Sequence, residues 1–149
     1  MENIDKNDID NIIKEIIKDI REMGQCIKTS IDRSVTSLTE QNTSMADKVI
    51  KNKKMIDKLG DVIEDKCTKT MTMKVSPRQL RMLKGGLKMI IDLGTIQDLA
   101  IDIAFITKAT AQAPHIKPLV DIPRMSDILQ EMLDGSLDAL EKQDADLAR

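Results

Sequence analysis

The sequence predicts an all-α protein, an antiparallel bundle of long helices. Three observations carry that expectation. Apolar residues recur at spacings of three and four along successive stretches of roughly thirty residues, the signature of amphipathic helices. Only four prolines and six glycines punctuate 149 residues, so the chain has few places to break a helix. Phe105 is the sole aromatic residue, whereas sandwiches and barrels draw on aromatic and β-branched residues to fill their sheets.

The first helix is expected from about Asp8 to Leu38. Ile9, Ile12, Ile13, Ile16, Ile20, Met23, Ile27, Ile31, Val35 and Leu38 form its stripe, and Lys14, Glu15, Lys18, Asp19 and Arg21 occupy the remaining face. The polar cluster Glu40-Gln41-Asn42-Thr43-Ser44 separates it from a second helix. That helix has the stripe Met45, Val49, Ile56, Leu59, Ile63, Cys67 and Met71, or neighbouring Thr70. Ser76-Pro77 marks the third start, a capping hydroxyl followed by proline at the first helical position. The third stripe reads Leu80, Leu83, Leu87, Ile91, Gly94, Asp98, Ile101 and Phe105, and ends before the loop bracketed by Pro114 and Pro118. Asp121-Ile122-Pro123 opens a fourth helix with Ile128, Met132, Leu137, Leu140 and Leu147 as its apolar residues. Three long helices with short loops pack as an antiparallel bundle, and the fourth lies alongside or begins another unit.

Composition narrows the function classes. Apolar residues at 41% and charged residues at 32% describe a folded, water-compatible chain. A net charge of −2 with interspersed signs offers no basic field for a nucleic-acid backbone, and one aromatic offers no stacking platform. The opening Met1-Glu2-Asn3-Ile4-Asp5 is acidic, unlike a secretory leader. The longest run free of Asp, Glu, Lys and Arg is eight residues, Ala109 to Ile116, too short for a membrane span. Cys26 and Cys67 differ in expected height by roughly 16 Å at 1.5 Å per residue, which argues against a disulfide and for a reducing cytoplasm. There is no Cys/His cluster, phosphate-binding glycine loop or nucleophile elbow, and the only histidine, His115, sits in the proline-flanked loop. Enzyme activity is therefore not expected.

Several residues interrupt the stripes. Asp98 on the third stripe either faces the core and needs a cation, a metal or hydrogen-bond donors, or sits at the stripe's edge. Counting from the turns places Gly24, Asp57, Gly60, Gly94 and Asp98 in one cross-section, as close helix approach or as a polar cavity. Asp57, Asp61 and Asp65 form a row of carboxylates on helix 2, and Asp98 and Asp102 form another on helix 3. Facing rows of this kind are how bundles build metal sites, although no Glu-x-x-His motif is present.

The stretch Asp92-Leu93-Gly94-Thr95-Ile96-Gln97-Asp98 through Ala104 resembles the third-helix signature of PhoU proteins, Asp-Leu-Glu-Arg-Ile-Gly-Asp followed by an Asn-Ile-Ala element. Ser76-Pro77-Arg78-Gln79-Leu80-Arg81 is similar to that helix's start. Met45 to Ile50 with Ile56 to Leu59 is similar to the family's second helix, and Arg21-Glu22-Met23-Gly24 to its first. Met132-Leu133, Ala139-Leu140, Asp144 and Leu147-Ala148 resemble the start of a next repeat. The resemblance implies one complete three-helix repeat over residues 1–115 and the opening of a second over 121–149. It implies a non-enzymatic, cytoplasmic regulator of phosphate uptake that acts by protein contacts on a phosphate ABC transporter or its signalling partner. The alternatives are a helical assembly module without a phosphate role and a metal-binding bundle.

Family members bind iron or zinc clusters through Glu/Asp-x-x-x-Asp motifs. Here Asp98 matches the final Asp, but Gly94 stands in place of the Glu, and Thr95 and Gln97 replace the following Arg and Gly. On helix 2, Lys53 and Gly60 replace acidic positions and leave Asp57. Asp57 and Asp98 are thus the candidate metal residues, enough for one weakly held divalent ion and too few for a cluster. No cofactor is expected beyond that one weakly held divalent metal. The apolar face of helix 4 predicts a homodimer with that helix at the interface.

Overall fold

A computed structural model of the chain describes residues 6–149, with side chains from Asp8 onward; the acidic opening Met1 to Asp5 lies outside them. Four helices follow in order: α1 Lys6–Thr39, α2 Thr43–Met71, α3 Pro77–Thr110 and α4 Asp121–Lys142. The described residues contain no strand.

Capping chemistry sets the boundaries. Asn42 caps α2 by accepting a hydrogen bond from the Met45 backbone N–H. Ser76 and Gln79 form a reciprocal capping box at α3, with Pro77 beginning the helix. Gln41, at φ 53°, turns the chain between α1 and α2. The Gln41 amide donates to the carbonyls of Thr110 and Ala113, and His115 Nε2 lies 2.8 Å from the Leu38 carbonyl. The single histidine thus pins the proline loop onto the α1–α2 turn.

Helices α1, α2 and α3 pack on one another, and among the described residues α4 packs on α1. The core is built chiefly from Ile9, Ile13, Ile16, Ile20, Ile27 and Ile31 of α1, Ile56, Ile63 and Cys67 of α2, and Leu83, Ile90 and Leu93 of α3. Each such fully buried side chain is worth about 1.5–3 kcal/mol against its exposed state. The far end is smaller and more polar. Ala46, Val49, Ile101 and Ala104 cluster there, and the Ser37 and Thr107 hydroxyls meet at 3.1 Å. Both cysteines are free thiols, Cys67 buried and Cys26 half-buried.

The stripes of α1 and α2 fall where their spacing places them, but that of α3 is displaced by one residue. The buried positions of α3 are Gln79, Leu83, Gly86, Ile90, Leu93, Gln97, Ala100, Ile101, Ala104 and Thr107. Leu83 and Ile101 keep their expected place. Ile91, Asp98 and Phe105 are exposed, and Leu80, Leu87 and Gly94 are half-buried. The physical reason is that α3 packs against two helices at once. Its true core face carries small residues that permit close approach, and these contribute little to a hydropathy pattern. On α4 the buried residues are Ser126, Leu133, Leu137 and Ala139. Leu140 is half-buried and Ile128 and Met132 are exposed, while Leu147, expected on this helix, lies exposed beyond its end at Lys142.

Candidate functional site

Asp57 and Asp98 come together across the α2–α3 seam, although neither faces the core. The Lys53 ammonium lies between them, 3.2 Å from Asp57 Oδ1 and 2.7 Å from Asp98 Oδ1. The Asp57 contact follows from the i, i+4 spacing on α2, whereas the Asp98 contact requires the antiparallel docking of α3. The Asp98 hydrogen bond, then that of Asp57, raises the Lys53 pKa above 10.5 against a smaller opposing effect of burial. Asp98 is 60% exposed, so its carboxylate is hydrated and incurs no burial penalty that a metal must offset.

The expected cross-section resolves into separate contacts. Gly24 serves close approach: a Cβ there would lie 2.6 Å from Leu137 Cδ1, so this glycine admits α4. A Cβ on Gly60 would meet only Met23 Cε, at 3.6 Å, and one on Gly94 would meet nothing within 4 Å. Gly94 therefore lines no closed polar cavity, and a longer side chain there would reach into open space.

Among the described residues, no group of three or more His, Cys, Asp or Glu side chains is arranged to hold a metal ion. Asp61, Asp65 and Asp102 are exposed, and Asp65 pairs with Lys69 on its own helix. Two carboxylates bridged by an ammonium do not fit a multinuclear iron or zinc cluster. They are compatible with one hard cation that retains most of its waters.

The remaining inter-helix polar contacts tie the bundle together. Lys66 pairs with Asp19 between α2 and α1, and Lys108 with Asp47 between α3 and α2. Gln79 donates from α3 to Asp10 on α1 at 2.8 Å. Arg21 pairs with Asp138 and Glu141, and Lys28 with Asp134, which fixes α4 on α1. The Arg21 hydrogen bond holds the Asp138 carboxyl below its ordinary 3.8, with burial opposing. Between α3 and α4 a groove of about 520 Å³ opens, lined by Met89, Leu93, Ile96, Leu133 and Leu140 among others. None of the described helices is long and apolar enough to cross a membrane.

Sequence reasoning missed two features. Lys53 entered it only as a lost carboxylate, although its spacing from Asp57 already announced an ion pair. Gln97 reads in the sequence as a replacement of a family glycine, yet its fully buried side-chain amide has no hydrogen-bond partner among the described residues.

Comparison with known proteins agrees with the helical order. The PhoU domain model matches residues 20–107, from the middle of α1 through nearly all of α3. The chain is 32% identical over 138 residues to the phosphate-specific transport system accessory protein PhoU homolog of Aquifex aeolicus, covering 92% of this chain and 62% of that protein. A protein of the same description from Synechocystis sp. is 31% identical over 145 residues, 95% of this chain and 64% of the relative. The PhoU homolog 2 of Thermotoga maritima is 29% identical over 127 residues, 84% and 54%. The chain thus spans between half and two thirds of the length of these relatives.

Proposed function

We propose, from the premise that this chain belongs to the PhoU family, that it is a non-enzymatic cytoplasmic regulator of phosphate uptake. It acts by contact with a phosphate transporter or with the signalling protein that reads the transporter's state. The observation that carries this reading is the run of identity to transport-system accessory proteins over nine tenths of the chain. In this reading residues 1–115 are the regulatory repeat, residues 121–149 open a second, and the chain works as a homodimer through α4.

The test is co-purification after cross-linking in cells grown with and without phosphate, with bound proteins identified by mass spectrometry. Recovery of a phosphate-transporter subunit or its sensor kinase supports the reading. Absence of both under both conditions overturns it.

A second reading, that Asp57 and Asp98 hold a single divalent ion, draws on their convergence on one cation. Lys53 competes for the same oxygens, so Lys53→Met should tighten binding of that ion. Elemental analysis by mass spectrometry before and after mild chelation, on wild type and variant, decides it. Equal and negligible metal in both would remove it.

A further inference from the structure

We propose that the outer face of α2 adsorbs to an anionic phospholipid surface through a patch of five cations, Arg33, Lys48, Lys51, Lys54 and Lys58. This goes beyond the regulatory reading above and does not depend on it.

The patch is a local excess on an acidic protein. The whole chain carries a net charge of −2, yet residues 48–58 hold five lysines against one aspartate. Lys53 is neutralised by Asp57 and Asp98, and further along α2 Lys66 and Lys69 pair with Asp19 and Asp65. Lys48, Lys51, Lys54 and Lys58 are exposed and, among the described residues, make no ion pair. Their spacings of three and four set them on one solvent-facing arc of α2, about 15 Å long. Met55, 49% exposed, stands among them. The Lys66–Asp19 pair fixes the antiparallel register of α1 and α2. Arg33 lies fourteen residues beyond Asp19, close to four turns, and so comes level with Asn52 on the same side of α1. It too is exposed and makes no ion pair among the described residues, which adds a fifth cation beside Lys51.

The neighbouring acids leave this charge standing. Asp47 lies in the field of Lys51 but is hydrogen-bonded to Lys108. Asp61 borders the shallow surface basin of Lys54 and Lys58 at its C-terminal edge. The patch is also remote from the apolar face of α4, since α2 and α4 share no contact among the described residues.

Chemistry identifies the occupant. Four of the five cations are lysines, hydrated point charges on flexible stems, which suit mobile phosphates better than a fixed bidentate partner. Specific protein interfaces draw on aromatic residues and arginine and are depleted in lysine, and this patch holds no aromatic residue. Single-stranded nucleic acid is held in grooves with stacking rings, whereas these lysines stand on the convex side of a helix. A layer of lipid headgroups requires neither groove nor ring. Clusters of about four to eight Lys or Arg on one helix face bind anionic leaflets, each cation raising the partition by about fivefold. The lysine stems lie along apolar surface such as Met55 while their ammonium groups reach the phosphates.

Flotation of the full chain with vesicles is the test, with helix content by circular dichroism as the folding control. Vesicles of phosphatidylglycerol and phosphatidylcholine in equal parts should carry the protein at about 0.05 M salt and release it at about 0.5 M, as the screening length falls. Inorganic phosphate at matched ionic strength should not compete. Lys51→Gln with Lys54→Gln should weaken the partition by about 25-fold. Lys84→Gln with Lys88→Gln removes the same charge from exposed positions on α3 and should leave the partition within about twofold. Absence of flotation with the anionic vesicles overturns the proposal. So does equal binding to phosphatidylcholine alone, or an equal loss from the α3 pair. Release by free phosphate would assign the patch to the soluble anion, and release by duplex DNA at matched phosphate concentration would assign it to nucleic acid. Either result overturns the membrane contact.

Discussion

Gln97 offers a direct test of the packing described here. Its side chain is fully buried on the core face of α3, and neither amide atom has a hydrogen-bond partner among the described residues. Burying an amide without partners costs about 1–3 kcal/mol on the scale of protein substitutions. Methionine has nearly the same length and shape and no such penalty, and the volume change is small enough for an adaptable core residue. Gln97→Met should therefore stabilise the protein by about 1–3 kcal/mol. At about 2–4 °C per kcal/mol for a chain of this size, the melting temperature should rise by roughly 2–12 °C. Urea unfolding followed by circular dichroism at the helical band is the assay, and the midpoint should shift with the slope unchanged. Ser30 also has a buried hydroxyl without a partner. The Ser37–Thr107 and Asp10–Gln79 contacts fix the register of α1 on α3, and this places Ser30 within about a turn of the level of Gln97. Destabilisation by Gln97→Met, reproduced by Ser30→Ala, would show that the two groups form a satisfied polar pair and would refute the reasoning.

Three further perturbations separate the roles of particular residues. Gly24→Ala should cost about 1 kcal/mol in urea unfolding, because the new methyl strikes buried Leu137 by more than the helix-propensity gain of about 1 kcal/mol offsets; Gly85→Ala, with nothing within 4 Å, should instead stabilise by about 0.5–1 kcal/mol. Burial pushes the Cys67 thiol up to about 11, so at pH 8 only about one molecule in a thousand carries the thiolate there, and a thiol reagent should label Cys67 only after unfolding; labelling in the native state would contradict its burial. Asp138 is held below 3.8 by Arg21, so the pair stabilises the fold fully above 3.8 and is lost as the pH falls through the lower folded value. Arg21→Met should accordingly move the acid transition to higher pH, and an unmoved transition would show that the pair does not hold α4 on α1.

The fold was legible because α1 and α2 carry strong one-sided stripes with buried isoleucines, and because Ser76-Pro77 and the Asn42 region are unambiguous starts. The facing of α3 was not legible. Two stripes on that helix are comparably apolar, and the one that packs is marked by Gly86, Gln97, Ala100, Ala104 and Thr107, whose selection is steric. The same displacement explains the candidate site. Sequence brought Asp57 and Asp98 to one level, and the structure brings them to one lysine. Their position on the surface, in contrast, depends on a helix rotation that periodicity could not resolve. The α1–α4 ion pairs were invisible for another reason. Arg21 and Asp138 are 117 residues apart, and only the docked position of α4 pairs them.

Loss of the lysine-bridged carboxylates or of the α2 cation patch can each be probed in the purified protein, but the regulatory claim is settled in cells. The decisive measurement is the rate of phosphate uptake, with phosphate plentiful and scarce, in a strain lacking this chain and in the same strain re-expressing it. Uptake that escapes its normal dependence on phosphate supply, and regains it on re-expression, is the predicted result. Uptake indistinguishable with and without the chain under both conditions would contradict a role in phosphate transport and leave a helical assembly module in its place.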